Sequence, residues 1–389
     1  MTKPYHYPLD GVRFASALAV GWFHLGFYSW ASTYSSTAHI FQGAAAFPAL
    51  TAWAWFGWVG VEVFFVISGF VIANSANDAA PIAFLKGRML RLLPAAWICA
   101  TITLLALLFV AHDDLRSLIR PYLHSMLLWV EAPWIDGVYW SLAVEIAFYS
   151  IILCLLLLRR FAILPYVAWA LTFVSGVYLV LTAGRLVAPT GLWWTIMSHS
   201  ELLLLRHGAF FAVGIWLWLF NQRLMTPVRW AGLAAALSVG CLEIWMRAES
   251  LKTEEASAAL GQPSLTPVAI WLLAVIALLV FTRWPERFTP RSPLARARLK
   301  QAGQATYPFY LVHNILGAGA LRLLLTQGAP PYLALAGALG FVVTVSFTIA
   351  QFGEPAARRA FKTLLDRIEG RLRRTTWLVG LSHSGGRIH

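Results

Sequence analysis

Charged and titratable side chains set inside apolar runs are the features of this sequence that could do chemistry. Arg13 and His24 share the first long apolar run, eleven residues apart. On an α-helix that spacing is roughly 20° past three full turns, so both leave one face, about 16 Å apart along the axis. One face thus offers an anion anchor and, deeper, a titratable base. Arg88 and Arg91 are three residues apart in FLKGRMLRLLPAAW, with Lys86 close by. They share a helical face, and paired guanidiniums suit bidentate binding of phosphate. Glu145 lies in VYWSLAVEIAFYSI, with Ser141 and Tyr149 four residues to either side and Trp140 a turn above. A carboxylate there needs a partner or a proton, and either suits orienting or activating a histidine. Glu62 falls near one end of GWVGVEVFFVISGFVIANS, with Ser68 and Gly69 near its middle. His313 and Asn314 sit in ATYPFYLVHNILGAG, and Arg206 and His207 in LLRHGAFFAVGIWLW. Each has a plainer reading: a snorkelling arginine, a packing histidine, an interfacial carboxylate, a small residue for close helix contact. Several such groups on several apolar runs weigh against the plain reading, because charge inside a membrane is costly and marks function by default.

The elements that must position these groups follow from composition. The chain has 389 residues, of which 59% are hydrophobic and only 12% charged, with a mean hydropathy of +0.67. That much apolar surface nearly rules out a soluble enzyme, and it rules out disorder. A bilayer core about 30 Å thick takes roughly 20 apolar residues as helix, and helices satisfy their own backbone in lipid. About ten spans are expected, at roughly 11–30, 55–75, 93–111, 138–158, 161–183, 201–220, 230–247, 264–283, 304–325 and 332–353. The fold class is therefore an all-α polytopic membrane protein. The segment 121–135 is too short to cross and reads as re-entrant or interfacial. The first apolar run is too long and too polar for a signal peptide. The net charge of +13 is largely topological: with the spans alternating, most of the 30 Lys+Arg fall on one side, which places both termini in the cytoplasm. No nucleic-acid partner is implied. Residues 1–355 form the transmembrane core, and 356–389 a basic cytoplasmic tail whose FKTLLDRIEGRLRR suits the anionic inner leaflet. Cys99, Cys154 and Cys241 have neither metal nor disulfide spacing, so no metal site is expected.

In order along the chain, these motifs resemble the membrane acyltransferase-3 family. They are LDGVRFASALAVGWFH with its R-x10-H spacing, GVEVFFVISGFVI, RMLRLLP, YWSLAVEIAFY, RHGAFFAVG, YPFYLVH and FGEPAAR with Glu354 and Pro355. The resemblance covers about residues 8–355; the family often has Asp where this chain has Glu62, a departure conservative in charge but not in reach. It implies transfer of an acyl group, often acetyl, from cytoplasmic acyl-CoA to a hydroxyl of a glycan or lipid-linked saccharide, in the stand-alone form without a fused hydrolase-like domain. The setting implied is the bacterial inner membrane, with the bilayer and glycan-assembly proteins as partners. Arg13, His24, Arg88, Arg91 and Glu145 match the family's motif positions.

On this reading His24 is the catalytic base, and Glu145 fixes its tautomer or stabilises its imidazolium. Arg88, Arg91 and Lys86 hold CoA phosphates, and Arg13 helps at the mouth. His313 or Asn314 would donate to the thioester oxygen, with Glu62, Trp140, Ser141 and Tyr149 in support. No tightly bound cofactor is expected; acyl-CoA is a co-substrate. An acyl-histidine route remains open beside direct transfer. Tryptophans near the outer face (Trp53, Trp55, Trp134, Trp193, Trp194) could stack on sugars or form an interfacial belt. Two other classes remain: a transporter or flippase using the same Arg, His and Glu as a path, and a structural subunit of an export complex.

Overall fold

A computed structural model describes residues 6–33, 35–183, 199–200 and 202–368. The described residues are helical throughout, joined by turns. Helix α1 (Tyr7–Phe23) continues through a π turn, His24–Tyr28. It is followed by α2 (Gly60–Ala76), α3 (Pro81–Ala106) and α4 (Leu115–Leu127). Next come α5 (Trp140–Leu157), α6 (Leu164–Ala183), α7 (Gly208–Asn221) and α8 (Pro227–Ser250). The last four are α9 (Leu265–Arg283), α10 (Pro293–Val312), α11 (Ile315–Thr326) and α12 (Pro331–Thr348).

Seven helical stretches of the described residues are long and apolar enough to cross a membrane, eight if the bent pair α10–α11 is one span. The described residues yield seven or eight of the expected ten. The expected span 201–220 yields only the 14-residue helix α7, because Leu202–His207 form turns. The expected span 304–325 is broken at His313–Asn314, where α10 and α11 meet at 73°. The first helix, with Asp10, Arg13 and His24, is not among the seven. The segment 121–135 forms the second half of α4 and the loop after it. Helix α4 packs along α3, the Trp97 indole N–H donating to the Met126 carbonyl and Thr101 bonding the Tyr122 hydroxyl. Large apolar side chains such as Phe109, Phe173 and Leu273 face outward, as a lipid-embedded surface allows. The protein is a multi-pass membrane protein.

The stretch Pro48–Ala76, which ends in α2, is the most enclosed of the spanning stretches, 83% buried over its most apolar part against 28–50% for the others. Helix α2 meets α7 backbone to backbone. A Cβ on Gly214 would overlap the Val66 carbonyl and the Phe70 amide, and one on Gly69 would overlap the Phe211 carbonyl. Small residues are what permit such contact in membranes. Ser68 and Gly69 thus divide the work, Gly69 against α7 and Ser68 toward a cavity beside α5. Gly214→Val should cost about 3 kcal/mol or more, the upper range for overpacking. A thermal midpoint in detergent within a degree of wild type would contradict that close approach.

Alternation along the chain puts the basic helix ends together. The start of α3 (Lys86, Arg88, Arg91), the end of α5 and the start of α10 lie at the end where α1 begins. There Arg13 of α1 lines one cavity with Arg88, Arg91 and Gly303. Phe14 of α1 packs edge-on against Phe347 near the end of α12, ring centroids 5.7 Å apart.

Candidate functional site

Two cavities lie end to end along α1. The arginine cavity, about 90 Å³, is lined by Arg13, Ser68, Arg88, Arg91, Glu145 and Tyr149, with Ser141 and Tyr307. The histidine cavity, about 370 Å³, is lined by His24, Tyr28, Glu62, Trp140 and Asn314, with Arg206, His207, Glu243 and Arg247. Val61 and Tyr310 border both. The Tyr310 hydroxyl is 2.8 Å from Ser141 Oγ and 3.3 Å from the Val138 carbonyl, so the partition is held by α5 and the turn before it.

In the arginine cavity, Arg88 packs between the rings of Phe84 and Tyr149, at 5.7 and 5.9 Å from their centroids. Its Nε is buried without a partner. Neither Arg88 nor Arg91 has a carboxylate in ion-pair contact among the described residues. Such guanidiniums are ready for an anion. Arg13 is 3.6 Å from Asp10. Lys86 does not join them. It lies two residues from Arg88, about 200° round the helix, and bonds Asp366 at 2.6 Å on the outside of the bundle.

Glu145 belongs to this cavity and not to His24. Its Oε1 accepts from Ser68 Oγ at 2.7 Å, and it stands within electrostatic reach of Arg13 and Arg91. The partner expected for His24 is instead His313, whose Nε2 lies 2.9 Å from His24 Nδ1. Which nitrogen carries each proton follows from the next contact. His313 Nδ1 lies 2.8 Å from the Tyr310 carbonyl and 3.2 Å from that of Phe309, so it must carry hydrogen and donate. His313 Nε2 is then a bare acceptor, and His24 Nδ1–H donates to it. His24 Nε2 is left with its lone pair on a ring that lines the larger cavity. His24 is also the first residue of the π turn, a distortion frequent at functional sites.

The oxyanion donors expected at His313 and Asn314 are both spent. His313 uses its one proton on carbonyls. Asn314 Nδ2 donates to Asp136 Oδ1 at 2.7 Å and Ser36 Oγ at 2.8 Å, while its Oδ1 accepts from Thr37. Asn314 therefore clamps the break between α10 and α11. Glu62 and Trp140 line the histidine cavity, and Ser141 and Tyr149 the arginine cavity.

Sequence reasoning passed over Tyr28, Glu243, Arg247 and Glu255. The Tyr28 hydroxyl donates to Glu255 at 2.5 Å, Arg247 holds Glu255 through both terminal nitrogens, and Arg206 Nε donates to Glu243 at 2.7 Å. Glu243 had a signal: it is a carboxylate inside the apolar run of α8 with Arg247 one turn on. Trp193 and Trp194 and the tail beyond 368 lie outside the described residues.

Residues 6–351 match the family described as an acyltransferase domain. The chain belongs to the acyltransferase-3 family. Among curated relatives of this family member, "Exopolysaccharide production protein ExoZ" of Rhizobium meliloti (strain 1021) is 31% identical over 145 residues, 34% of this chain and 43% of that protein. "Nodulation protein 10" of Rhizobium leguminosarum bv. viciae is 24% identical over 293 residues, 67% of this chain and 73% of that protein. The alignment with the first thus spans less than half of that relative's length. No solved structure matches.

Proposed function

We propose that this acyltransferase moves an acyl group, acetyl in particular, from acyl-CoA in the bacterial cytoplasm to a hydroxyl of a glycan or lipid-linked saccharide. It would work from the inner membrane beside glycan-assembly proteins, with the basic helix ends and both termini on the cytoplasmic side. The observation that carries this reading is the pairing of the two cavities: unpaired arginines in one, and a histidine with a bare Nε2 in the next. The name of the Rhizobium meliloti relative, an exopolysaccharide production protein, supports a polysaccharide acceptor.

The donor's phosphates rest on Arg88 and Arg91 at the mouth of the arginine cavity, with Arg13 behind them. A cavity of about 90 Å³ is a slot for an unbranched arm, so the nucleotide stays outside. The arm carries the thioester past Tyr310 to His24. His24 Nε2 then takes the proton of the acceptor hydroxyl as its oxygen attacks the thioester carbonyl carbon. The tetrahedral intermediate expels CoA thiolate, breaking the C–S bond as the new ester forms. The imidazolium returns its proton to the thiolate. Through this step His24 Nδ1–H stays on His313, which holds the ring and shares the charge, the part an orienting third group plays in catalytic triads. Glu145, among the arginines, orients the donor side.

The test is CoA thiol release from acetyl-CoA by the protein in proteoliposomes, with and without a crude glycan-lipid extract. Extract-dependent release is expected. Absence of both release and CoA binding across acyl lengths would give the transporter reading first place.

A further inference from the structure

The first half of α3 borders a second opening, on the outside of the bundle. Helix α4 is bonded to α3 at the level of Trp97 and Thr101. It ends at Leu127, and Leu128 closes it in the left-handed conformation, φ 52°. Helix α5 runs on along α3 past that point, from the Tyr139 hydroxyl on the Ala96 carbonyl to Tyr149 beside Arg88. The groove left between them below α4 measures about 270 Å³. Met89 and Leu93 of α3, Ile146 and Leu153 of α5, and Leu127 and Leu128 at the foot of α4 line it. Leu85 and Leu127, which also border it, are exposed. An apolar groove facing a bilayer does not stay empty: a void forfeits the dispersion contacts of its lining, and a lipid chain supplies them.

Toward the start of α3 the groove is no longer apolar. Arg88 and Tyr149 line it there, and the same two side chains line the arginine cavity. They are the wall between the two spaces. Arg88 lies over the rings of Phe84 and Tyr149. It has no carboxylate in ion-pair contact among the described residues. A guanidinium held on rings presents its N–H edge to an anion. A chain lying along Leu93 and Leu128 brings the phosphate of its own headgroup to this arginine, as basic pockets between membrane helices do for anionic lipids. Charge narrows the occupant further. A choline headgroup carries a cation that offsets the attraction, whereas a glycerol headgroup carries none.

We propose that this groove is a binding site for an anionic phospholipid, with one chain between α3 and α5 and the phosphate on Arg88, so that lipid and donor share one guanidinium from opposite sides. The lipid site goes beyond the acyl-transfer reading and stands without it; the competition with the donor rests on that reading. Two phosphates on one arginine repel each other, and the coupling is reciprocal: what the lipid costs the donor in affinity, the donor costs the lipid.

The test places the full chain in phosphatidylcholine nanodiscs doped with a phospholipid carrying a photoreactive group in mid-chain, either phosphatidylglycerol or phosphatidylcholine, and maps the adducts by peptide mass spectrometry. Residues 224–230 are the internal reference, a lipid-facing helix end with Arg223 and Arg229 beside exposed Leu224, Val228 and Trp230. Labelling of 84–93 and 146–153 by phosphatidylglycerol is expected to exceed that by phosphatidylcholine about fivefold more than it does at 224–230, the worth of one basic group near an anionic lipid. Saturating CoA should lower the phosphatidylglycerol label in the groove about fivefold and leave 224–230 as it was. Leu93→Trp, which fills the groove away from Arg88, should abolish the excess label. Enrichment in the groove no greater than at 224–230 would overturn the site, and that comparison needs no variant to fold. An excess label that persists in a folded Leu93→Trp protein would overturn the placement of the chain. A groove label that CoA leaves untouched, in a protein that binds CoA in undoped nanodiscs, would overturn the sharing of Arg88. Failure of the acyl-transfer reading shows separately, as absence of CoA binding in those undoped nanodiscs.

Discussion

Replacing His24 with alanine is expected to lower acyl transfer by about 10²–10⁴-fold, the contribution of a positioned general base, while leaving donor affinity within about twofold of wild type. The separation follows from geometry. His24 lines the larger cavity and is bonded to His313, whereas the unpaired arginines line the other. Sugar hydroxyls are weak nucleophiles near neutral pH, so the loss falls on kcat. Comparison of kcat and of donor Kd for the two proteins in one lipid preparation checks it. A fall of only a few-fold would remove His24 from the chemistry. Acid-quenching the wild type during turnover adds a second readout. Direct transfer leaves no acetyl on the protein, whereas an acyl-histidine route leaves label on His24.

Changing Arg88 and Arg91 together to alanine should act on the other half of the reaction. Hydrogen bonds to charged groups are worth about 1.5–3 kcal/mol each, so the pair should raise KM for acyl-CoA by about 100-fold or more. The kcat at saturating donor should change little. Arg88 is a strong lever because it packs between the rings of Phe84 and Tyr149 with no carboxylate in ion-pair contact among the described residues, and its Nε is buried without a partner. Lys86→Ala is the built-in control. Lys86 serves Asp366 on the far side of α3, and its loss should leave the donor KM where it was. A double arginine variant with unchanged KM, or a Lys86 variant that matches its defect, would place the phosphates elsewhere.

Local spacing foretold what lies within one helix. Arg13 and His24 of one helix line two successive cavities, and Arg88 and Arg91 line one of them together. Nothing in spacing says which helices become neighbours. His24 and His313 are separated by 289 residues, so the partner of the imidazole was open, and Glu145 was as good a candidate on charge alone. Lys86 misled because nearness in sequence is not nearness on a helix surface. The sixth span misled because an apolar run ahead of Arg206 and His207 satisfies hydropathy without being helical. Glu243 was legible as a membrane-embedded acid; its bond to Arg206 across 37 residues was not.

The break between α10 and α11 has a consequence for the direction in which protons can move. In an unbroken helix the Tyr310 carbonyl would accept the Asn314 backbone N–H four residues on. Here Asn314 is drawn aside by Asp136 and Ser36, and the Tyr310 carbonyl takes the His313 imidazole instead. That contact gives the two-imidazole wire its polarity, with every hydrogen pointing away from the cavity and every lone pair toward it. Loss of both the Tyr310 and the Phe309 carbonyl contacts would release His313 Nδ1, let its proton settle on Nε2 and turn the wire round. On the proposed mechanism His24 would then face the acceptor with an N–H instead of a lone pair, chemically idle though not an atom of the cavity wall had been replaced.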